Sequence, residues 1–181
     1  MHSDQNPNLD TLNAALPFIA EAPKDDVPIE ILCFRTGFGD RSYPDSIEVT
    51  PQDGIVGERW AKHPWMRLPD GSGDPRIQVS ILSKRVFDTV VQGRLHPGDT
   101  IIADLDTSEA NMPAGQLLQI GSAVLRVSDA FNDGCVKWKT RYSSDAKDWI
   151  VMHPELKLRG LLCEIVEAGT IAATDRIVKK A

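Results

Sequence analysis

The sequence has little of three things: cysteine, positive charge and long apolar runs. Its three cysteines, Cys33, Cys135 and Cys163, are widely spaced and contain no C-x-x-C pair, which argues against both a disulfide framework and a structural zinc site. Twenty basic residues against twenty-six acidic ones give a net charge of −6, so a broad affinity for nucleic acid or for an anionic membrane has no support. Any anion site must therefore be local.

Sequence signals for export and for the common enzyme classes are also missing. The apolar runs are far shorter than the ~20 residues that a membrane-spanning helix needs, and the polar start MHSDQNPNLD lacks the charged-then-apolar pattern of a signal peptide. We therefore expect a cytoplasmic protein. No Ser-His-Asp order, P-loop, G-x-G-x-x-G or clustered zinc spacing is present, so hydrolase, kinase and nicotinamide-dehydrogenase functions lack a motif.

What the sequence does contain is the composition of one globular domain. Its 181 residues fall within the usual size of a single domain. Residues 9–22 have apolar side chains at helical spacing, but Pro17 would break or kink a helix there. We interpret residues 1–27 as a docked N-terminal arm and linker, and residues 28–181 as the main domain.

Short apolar or alternating runs, separated by glycine, proline and aspartate, fill the main domain. They predict strands at 29–34, 46–50, 78–82, 100–104, 117–120, 123–128, 161–167 and 176–178. The clearest pair flanks Gly121-Ser122, which suits a tight hairpin turn. Helices are expected from Ser83 to about Gln92 and over 144–152. This texture is typical of a barrel or a sandwich, and the Pro/Gly-rich stretch 64–75 is expected to be a loop that either covers a site or connects strands.

Four blocks in one order carry a resemblance to a known family. They are DGIVGER at 53–59, QVSILS at 78–83, the hairpin GQLLQIGSAVLRV at 115–127 followed by Gly134-Cys135, and RGLLCEIVEAGTIAATDRIV at 159–178. Together they resemble the MOSC family, the module associated with molybdenum-cofactor sulfurases, and in particular its small stand-alone bacterial-type members. The resemblance implies a mainly β fold: a closed or nearly closed mixed β-barrel with one or two peripheral helices.

Two departures from the family pattern bear on function. Many members carry an arginine and an asparagine shortly after the mid-chain P-G turn, where this chain has Asp99-Thr100. The family cysteine often follows a proline, whereas here it follows Asn132-Asp133-Gly134. The cysteine is therefore present, but the turn before it is formed by glycine.

Cys135 is the candidate reactive residue. Turn-forming FNDG precedes it and KWKTR follows it, so the sulfur is expected near solvent, at a loop or strand end, in a positive potential that favours the thiolate. The resemblance implies that such a thiolate ligates molybdenum or carries sulfur as a persulfide. Cys33 and Cys163 lie in apolar runs and are expected to be buried.

The molybdenum cofactor, a molybdopterin, carries a phosphate and polar pterin edges that need cations and N–H groups. Candidate contacts are Arg59, Arg76, His63 and the start of the second predicted helix at Ser83 and Lys84, because a helix N-terminus favours anions. Arg59 and Arg76 flank the 64–75 loop and are expected to converge on one anion. His96 and His153, each followed by proline, fit turns better than metal ligation.

The resemblance thus implies a MOSC-like domain that binds molybdenum cofactor or carries sulfur through Cys135. As in some members of the family, it could reduce N-hydroxylated compounds, with electrons from a separate electron-transfer protein; a sulfur-donor protein is the partner of the carrier role. The alternative is a non-catalytic binding module that kept the barrel and lost the cofactor site, as Asp99-Thr100 suggests. Metal content would separate the two.

Overall fold

The computed structural model describes residues 6–181, so the first five residues of the predicted arm lie outside the described residues. The chain begins with helix α1 (Leu9–Ala20), whose N-cap Asn8 accepts a hydrogen bond from the Thr11 backbone N–H at 3.0 Å. Pro17 lies inside this helix without ending it. The helix is held by packing, since its buried Leu12 and Ile19 belong to an apolar cluster that it shares with three later helices.

Seven strands form a closed mixed barrel, as the family resemblance implies. They are β1 (Val27–Leu32), β4 (Val79–Ser83), β5 (Ile101–Ala103), β6 (Leu117–Ile120), β7 (Ala123–Val127), β8 (Leu161–Glu167) and β10 (Arg176–Lys180), in the order β1-β10-β6-β7-β8-β4-β5. Strand β5 pairs back onto β1 and closes the barrel. Only β4 and β5 run parallel, because helix α2 (Lys84–Val91) connects them as a crossover.

A smaller sheet, two further α-helices and three short 3₁₀ turns complete the described chain. The strands β2 (Ser46–Thr50), β3 (Gly54–Ile55) and β9 (Gly169–Ala172) pair in the order β3-β2-β9. With α1 and α2, the helices α3 (Val136–Arg141) and α4 (Ser144–Met152) make four within residues 6–181, against the one or two expected. Short 3₁₀ turns cover Arg59–Ala61, Pro75–Ile77 and Pro154–Leu156.

Strand alternation divides the apolar residues between two cores. Ile81 and Ile101 belong to the cluster that fills the barrel and continues under the small sheet. Their neighbours Leu82 and Ile102 belong to a second cluster shared with the helices, because successive side chains on a strand point to opposite faces. The helices therefore cover one outer face of the barrel.

The turn and the helix ends predicted from local sequence are found in the structure. The hairpin between β6 and β7 turns at Gly121, which has φ +57° and lies so close to the Thr170 carbonyl that a Cβ there would come within 2.3 Å of its oxygen. Helix α4 begins after Ser143, whose hydroxyl accepts from the Ala146 N–H at 2.9 Å. Helix α2 ends at Val91, and its C-cap residue Gln92 has φ +48° just before Gly93.

Across residues 6–181, no helix is both long enough and apolar enough to span a bilayer.

Candidate functional site

A cavity of about 470 Å³ opens beside the barrel. Its walls come from the loop after β1, the turn around Arg59, the 97–99 segment before β5, and residues 132–137 at the start of α3. Gln78 and Ser80 of the β4 region also line it. Gln78 is buried and satisfied, since its side chain donates to the Pro51 carbonyl at 2.8 Å and accepts from the Ile165 N–H at 2.9 Å. Hydrogen bonds therefore link this part of the cavity wall to two other parts of the fold.

Cys135 lines this cavity and is exposed, whereas Cys33 and Cys163 are buried. Burial raises the pKa of Cys33 to about 11 and that of Cys163 to about 12. Cys135 lies near solvent as expected, but at the N-cap of α3 rather than at a loop or strand end. The sequence did not predict this helix, because Trp138 is the only buried residue in VKWKTR.

Basic side chains outnumber acidic ones around the cavity. Six line it, namely Arg35, Arg41, Arg59, Lys137, Arg141 and Arg159, against the four carboxylates Asp40, Glu58, Asp99 and Asp133. The chain as a whole carries a net charge of −6. The cavity is therefore a local positive region in an acidic protein, as an anion site requires.

A buried carboxylate in the wall of the cavity pairs with one arginine and influences a second electrostatically. Glu58, only 1% exposed, accepts a hydrogen bond from Arg35 Nε at 2.8 Å, and its other oxygen has no partner. Arg59 Nε is buried without a partner as well. Desolvation lowers the pKa of Arg59, repulsion from Arg35 adds to this, and Glu58 opposes it. This cluster has one cation more than its carboxylate can neutralise.

An ion pair between Arg159 and Asp99 lies where the sequence departs from the family pattern. Arg159 Nη1 donates to both carboxylate oxygens of the buried Asp99 at 2.7 and 2.8 Å. The Arg159 guanidinium also lies 4.4 Å from the Trp138 ring centroid, and its Nε has no partner. Asp99 thus neutralises a cation of the cavity, which weakens the positive potential on this side.

The structure brings together three of the six predicted site residues: Arg59, His63 and Cys135 line the same cavity. Arg76, Ser83 and Lys84 do not line it, so the expected convergence of Arg59 and Arg76 is absent. The Arg76 guanidinium is held by two carboxylates, Asp74 at 2.8 Å and Asp129 at 3.1 Å.

The other two residues are placed away from the cavity by the α2 helix. Ser83 is buried at its N-cap position, where its side chain makes no capping hydrogen bond. Lys84 forms an ion pair with Asp88 one turn further along the same helix. Neither side chain is therefore available to a ligand in the cavity.

His96 and His153 have structural positions, whereas two of the tryptophans line the cavity. His96 is 7% exposed and accepts a hydrogen bond from the Gly98 N–H at 2.9 Å, and His153 caps α4, as turn residues would. Trp60 and Trp65 line the cavity, and Trp65 is 60% exposed. Among residues 6–181, no three His, Cys, Asp or Glu side chains cluster as a metal site.

Several cavity residues were not singled out from the sequence: Arg35, Phe38, Arg41, Glu58 and Arg159. The glycine-flanked aromatic in RTGFGDR, directly after the first strand, is the signal that could have pointed to the first three. Glu58 and Arg159 lie inside the quoted family blocks, but their pairing with Arg35 and Asp99 depends on tertiary contacts.

Comparisons with known proteins locate the fold. No family model matches the chain, and no curated protein matches it in sequence. Solved structures do: YuaD from Bacillus subtilis has a TM-score of 0.63 at 20% identity, with 86% of this chain and 97% of that one covered. YiiM from Escherichia coli has a TM-score of 0.58 at 15% identity, with coverage of 86% and 70%.

YiiM from Geobacillus stearothermophilus is similar as well, with a TM-score of 0.55 at 13% identity and coverage of 87% and 74%. YiiM is a MOSC-domain protein. At these identities the likeness concerns the fold alone, and it agrees with the closed mixed barrel. The chain therefore has a MOSC-like fold.

Proposed function

We propose that this chain binds molybdenum cofactor, or carries sulfur, with Cys135 as the reactive group. The observation that carries the proposal is that the exposed thiol, of the three in the chain, is the one in the wall of the cation-rich cavity. Thiols buried like Cys33 and Cys163 are inert toward partners from solution. A soft thiolate beside cations suits both ligation of molybdenum and formation of a persulfide.

The residues of the cavity fit a planar, anionic cofactor. A volume of about 470 Å³ lies within the range of roughly 300–1,000 Å³ typical of ligand sites. Arg59 and Arg159 each have a buried Nε without a hydrogen-bond partner, and a phosphate or a polar ring edge would satisfy such donors. Cys135 would hold the metal, and Arg59 with His63 would face the anionic part. When bound, the cofactor supplies two-electron oxygen-transfer chemistry.

Reduction and sulfur transfer differ in their requirement for electrons. Reduction of an N-hydroxylated compound, R–NHOH, consumes two electrons and two protons and yields R–NH₂ and water, with the electrons supplied by a separate electron-transfer protein. As a sulfur carrier, the Cys135 thiolate attacks the outer sulfur of a donor persulfide. The donor S–S bond breaks, a new S–S bond forms on Cys135, and the donor leaves as a thiolate.

The Asp99–Arg159 pair favours a second candidate, a non-catalytic module that keeps the barrel without the cofactor. Asp99 holds Arg159 through both carboxylate oxygens, so a ligand phosphate would have to compete with a buried carboxylate for this cation. In the Arg35, Glu58 and Arg59 cluster the single carboxylate accepts a hydrogen bond from Arg35, and Arg59 Nε has no hydrogen-bond partner. For this reason we place the ligand's anionic group on the Arg59 side of the cavity.

The test is elemental analysis of protein purified from cells grown with added molybdate, together with an assay for cyanide-labile sulfur. The cofactor role predicts stoichiometric molybdenum that Cys135→Ser removes, and the carrier role predicts labile sulfur that the same change removes. Cys33→Ala is the matched control, because it deletes a thiol outside the cavity. Protein with neither molybdenum nor labile sulfur would support the non-catalytic module.

Loss of metal has meaning only if the variant folds, and we expect Cys135→Ser to be nearly neutral. The Cys135 side chain is exposed and makes no capping hydrogen bond at the start of α3. Serine is a favoured N-cap residue, so the free energy of unfolding should stay within about 1 kcal/mol of the wild type. A fall of several kcal/mol in urea unfolding, with metal content unchanged, would make Cys135 a structural residue.

A further inference from the structure

The loop between β1 and β2 carries one aromatic ring at its tip. We call residues 35–41, RTGFGDR, the Phe38 loop. Its base is anchored: Arg41 donates to the His96 carbonyl at 2.6 Å, and Thr36 Oγ1 donates to Asp40 at 2.9 Å. Phe38 itself is 63% exposed and lies between two glycines, of which Gly39 has φ +87°. The two glycines impose few steric restrictions on the backbone of the tip, while hydrogen bonds hold the base of the loop.

The Phe38 ring contacts two cations that come from different elements of the cavity wall. The Arg59 guanidinium carbon lies 4.5 Å from the ring centroid, and Lys137 Nζ lies 5.1 Å from it. Arg59 belongs to the wall formed by the 3₁₀ turn, and Lys137 belongs to α3, two residues after Cys135. One exposed ring thus lies beside both cations next to the candidate reactive thiol.

An aromatic ring is a weak partner for these cations. A cation–π contact at an exposed site is worth a factor of about 2 to 5 in an equilibrium constant, whereas a hydrogen bond to a charged group is worth a factor of about 10 to 150. Arg59 also has an unpartnered Nε and is repelled by Arg35. An anion would relieve both conditions, and a phenyl ring relieves neither.

We infer that an oxyanion of the phosphate class binds between Arg59 and Lys137 by displacing the Phe38 ring. This inference rests on the proposed function only in taking the same cavity as the ligand site, and it names the group by which the ligand is recognised. Phe38 lowers the affinity for this group and thereby favours ligands with enough further contacts to compensate. It acts as a specificity-determining residue rather than a catalytic one.

The first test measures the affinity of inorganic phosphate by calorimetry, using protein stripped of metal. Phe38→Ala should bind phosphate about 5-fold to 30-fold more tightly than the wild type, because two competing contacts are lost. Arg59→Ala should abolish this gain. Unchanged or weaker binding by Phe38→Ala overturns the inference.

Phe18→Ala is the matched control. Phe18 is 55% exposed and makes the same kind of contact, with the Arg85 guanidinium 4.4 Å from its ring, and it lies outside the cavity lining. Its removal should leave phosphate affinity unchanged. An equal gain in both variants would mean that the loss of any exposed ring has this effect, and would refute a role specific to Phe38.

The second test follows the loop itself. Chymotrypsin cleaves after exposed phenylalanine, so cleavage after Phe38, measured by mass spectrometry, should accelerate with phosphate and not with sodium chloride of equal ionic strength. Protection by phosphate would show instead that the ring closes over the ligand, which contradicts displacement.

Both tests use metal-free protein, so their outcome is separable from the proposed function. Phosphate binding that responds to Phe38 in a chain that never acquires molybdenum or labile sulfur would keep the inference and reject the function. The opposite result is a protein that is purified with molybdenum but whose metal-free Phe38→Ala variant binds phosphate as the wild type does. It would keep the proposed function and reject the inference.

Discussion

At the scale of single residues, three thiols in one chain have different surroundings. Cys135 is exposed in a cavity wall, while Cys33 and Cys163 are buried with pKa values raised to about 11 and about 12. At neutral pH the buried pair is therefore almost entirely protonated and shielded. We predict that iodoacetamide alkylates Cys135 first, as measured by timed quenching and peptide mass spectrometry. Earlier labelling of either buried thiol would contradict this.

His96 is a second residue whose surroundings determine a measurable property. Burial lowers its pKa from 6.5 to about 4; Asp99 opposes this, and Arg41, Arg35 and Arg159 add to it. The rings of Tyr43 and Phe87 pack against the imidazole. Between pH 6.5 and 4 the unfolded chain binds this proton and the folded chain does not, so stability falls as pH is lowered through that window.

We predict that His96→Asn, which retains an acceptor for the Gly98 N–H, reduces this acid sensitivity. The loss that His96 causes in the wild type is up to about 3 kcal/mol between pH 6.5 and 4. As the pH is lowered from 6.5 to 4, the unfolding free energy of the wild type should therefore fall toward that of the variant, as measured by urea titration. Two stability curves that stay parallel from pH 7 to pH 4 would rule out His96 as the source.

At the scale of elements, α1 contains a defect that the fold tolerates. Pro17 has no N–H to donate to the Asn13 carbonyl, and a proline inside a helix costs roughly 3 kcal/mol relative to alanine. The side chain is exposed, so its replacement removes no buried contact. We predict that Pro17→Ala raises the unfolding free energy by about 1–2 kcal/mol, after the greater freedom of the unfolded chain is subtracted. Urea denaturation measures it; a loss of stability would show that the ring is needed.

The elements found from sequence are those whose pattern is strict. The runs 46–50, 144–152 and 161–167 match β2, α4 and β8 to the residue, because alternation, a serine cap and a continuous apolar run each give a local signal. Strands β3 and β9 escaped prediction, since β3 has two residues and only Ile171 is buried in β9.

The site was predictable only in part, for a physical reason. Motif blocks single out Arg59, His63 and Cys135, which line one cavity. The position of Arg76 beside the 64–75 loop made it a candidate anion contact, but this position does not reveal its partner. Asp74, two residues away, binds its guanidinium. The Glu58 and Asp99 pairings join segments 23 and 60 residues apart. Such contacts carry no periodicity that a single sequence can show.

At the scale of the whole molecule, the N-terminal arm is part of the core. Leu12 and Ile19 of α1 are 0% and 7% exposed within the helix-side cluster, and Ser143 Oγ donates to the Pro7 carbonyl at 3.0 Å. Removing each large apolar side chain from a core costs about 2–5 kcal/mol. We predict that deletion of residues 1–22 lowers the unfolding free energy by several kcal/mol. An unchanged urea midpoint would make the arm a dispensable linker.

Because the barrel is closed, it can be completed only after its last strand has been synthesised. Strand β1 pairs with β10 at Val27 and Ile177, so the first barrel strand to leave the ribosome finds this neighbour only when the last strand has been synthesised. Until then one edge of β1 stays open, and an open strand edge can pair with another chain. Nascent chains on a polysome are thus exposed to mispairing for nearly the whole time of translation. A chaperone that covers this edge should raise the yield of folded protein. Expression at a low rate, which keeps the concentration of nascent chains low, should have the same effect.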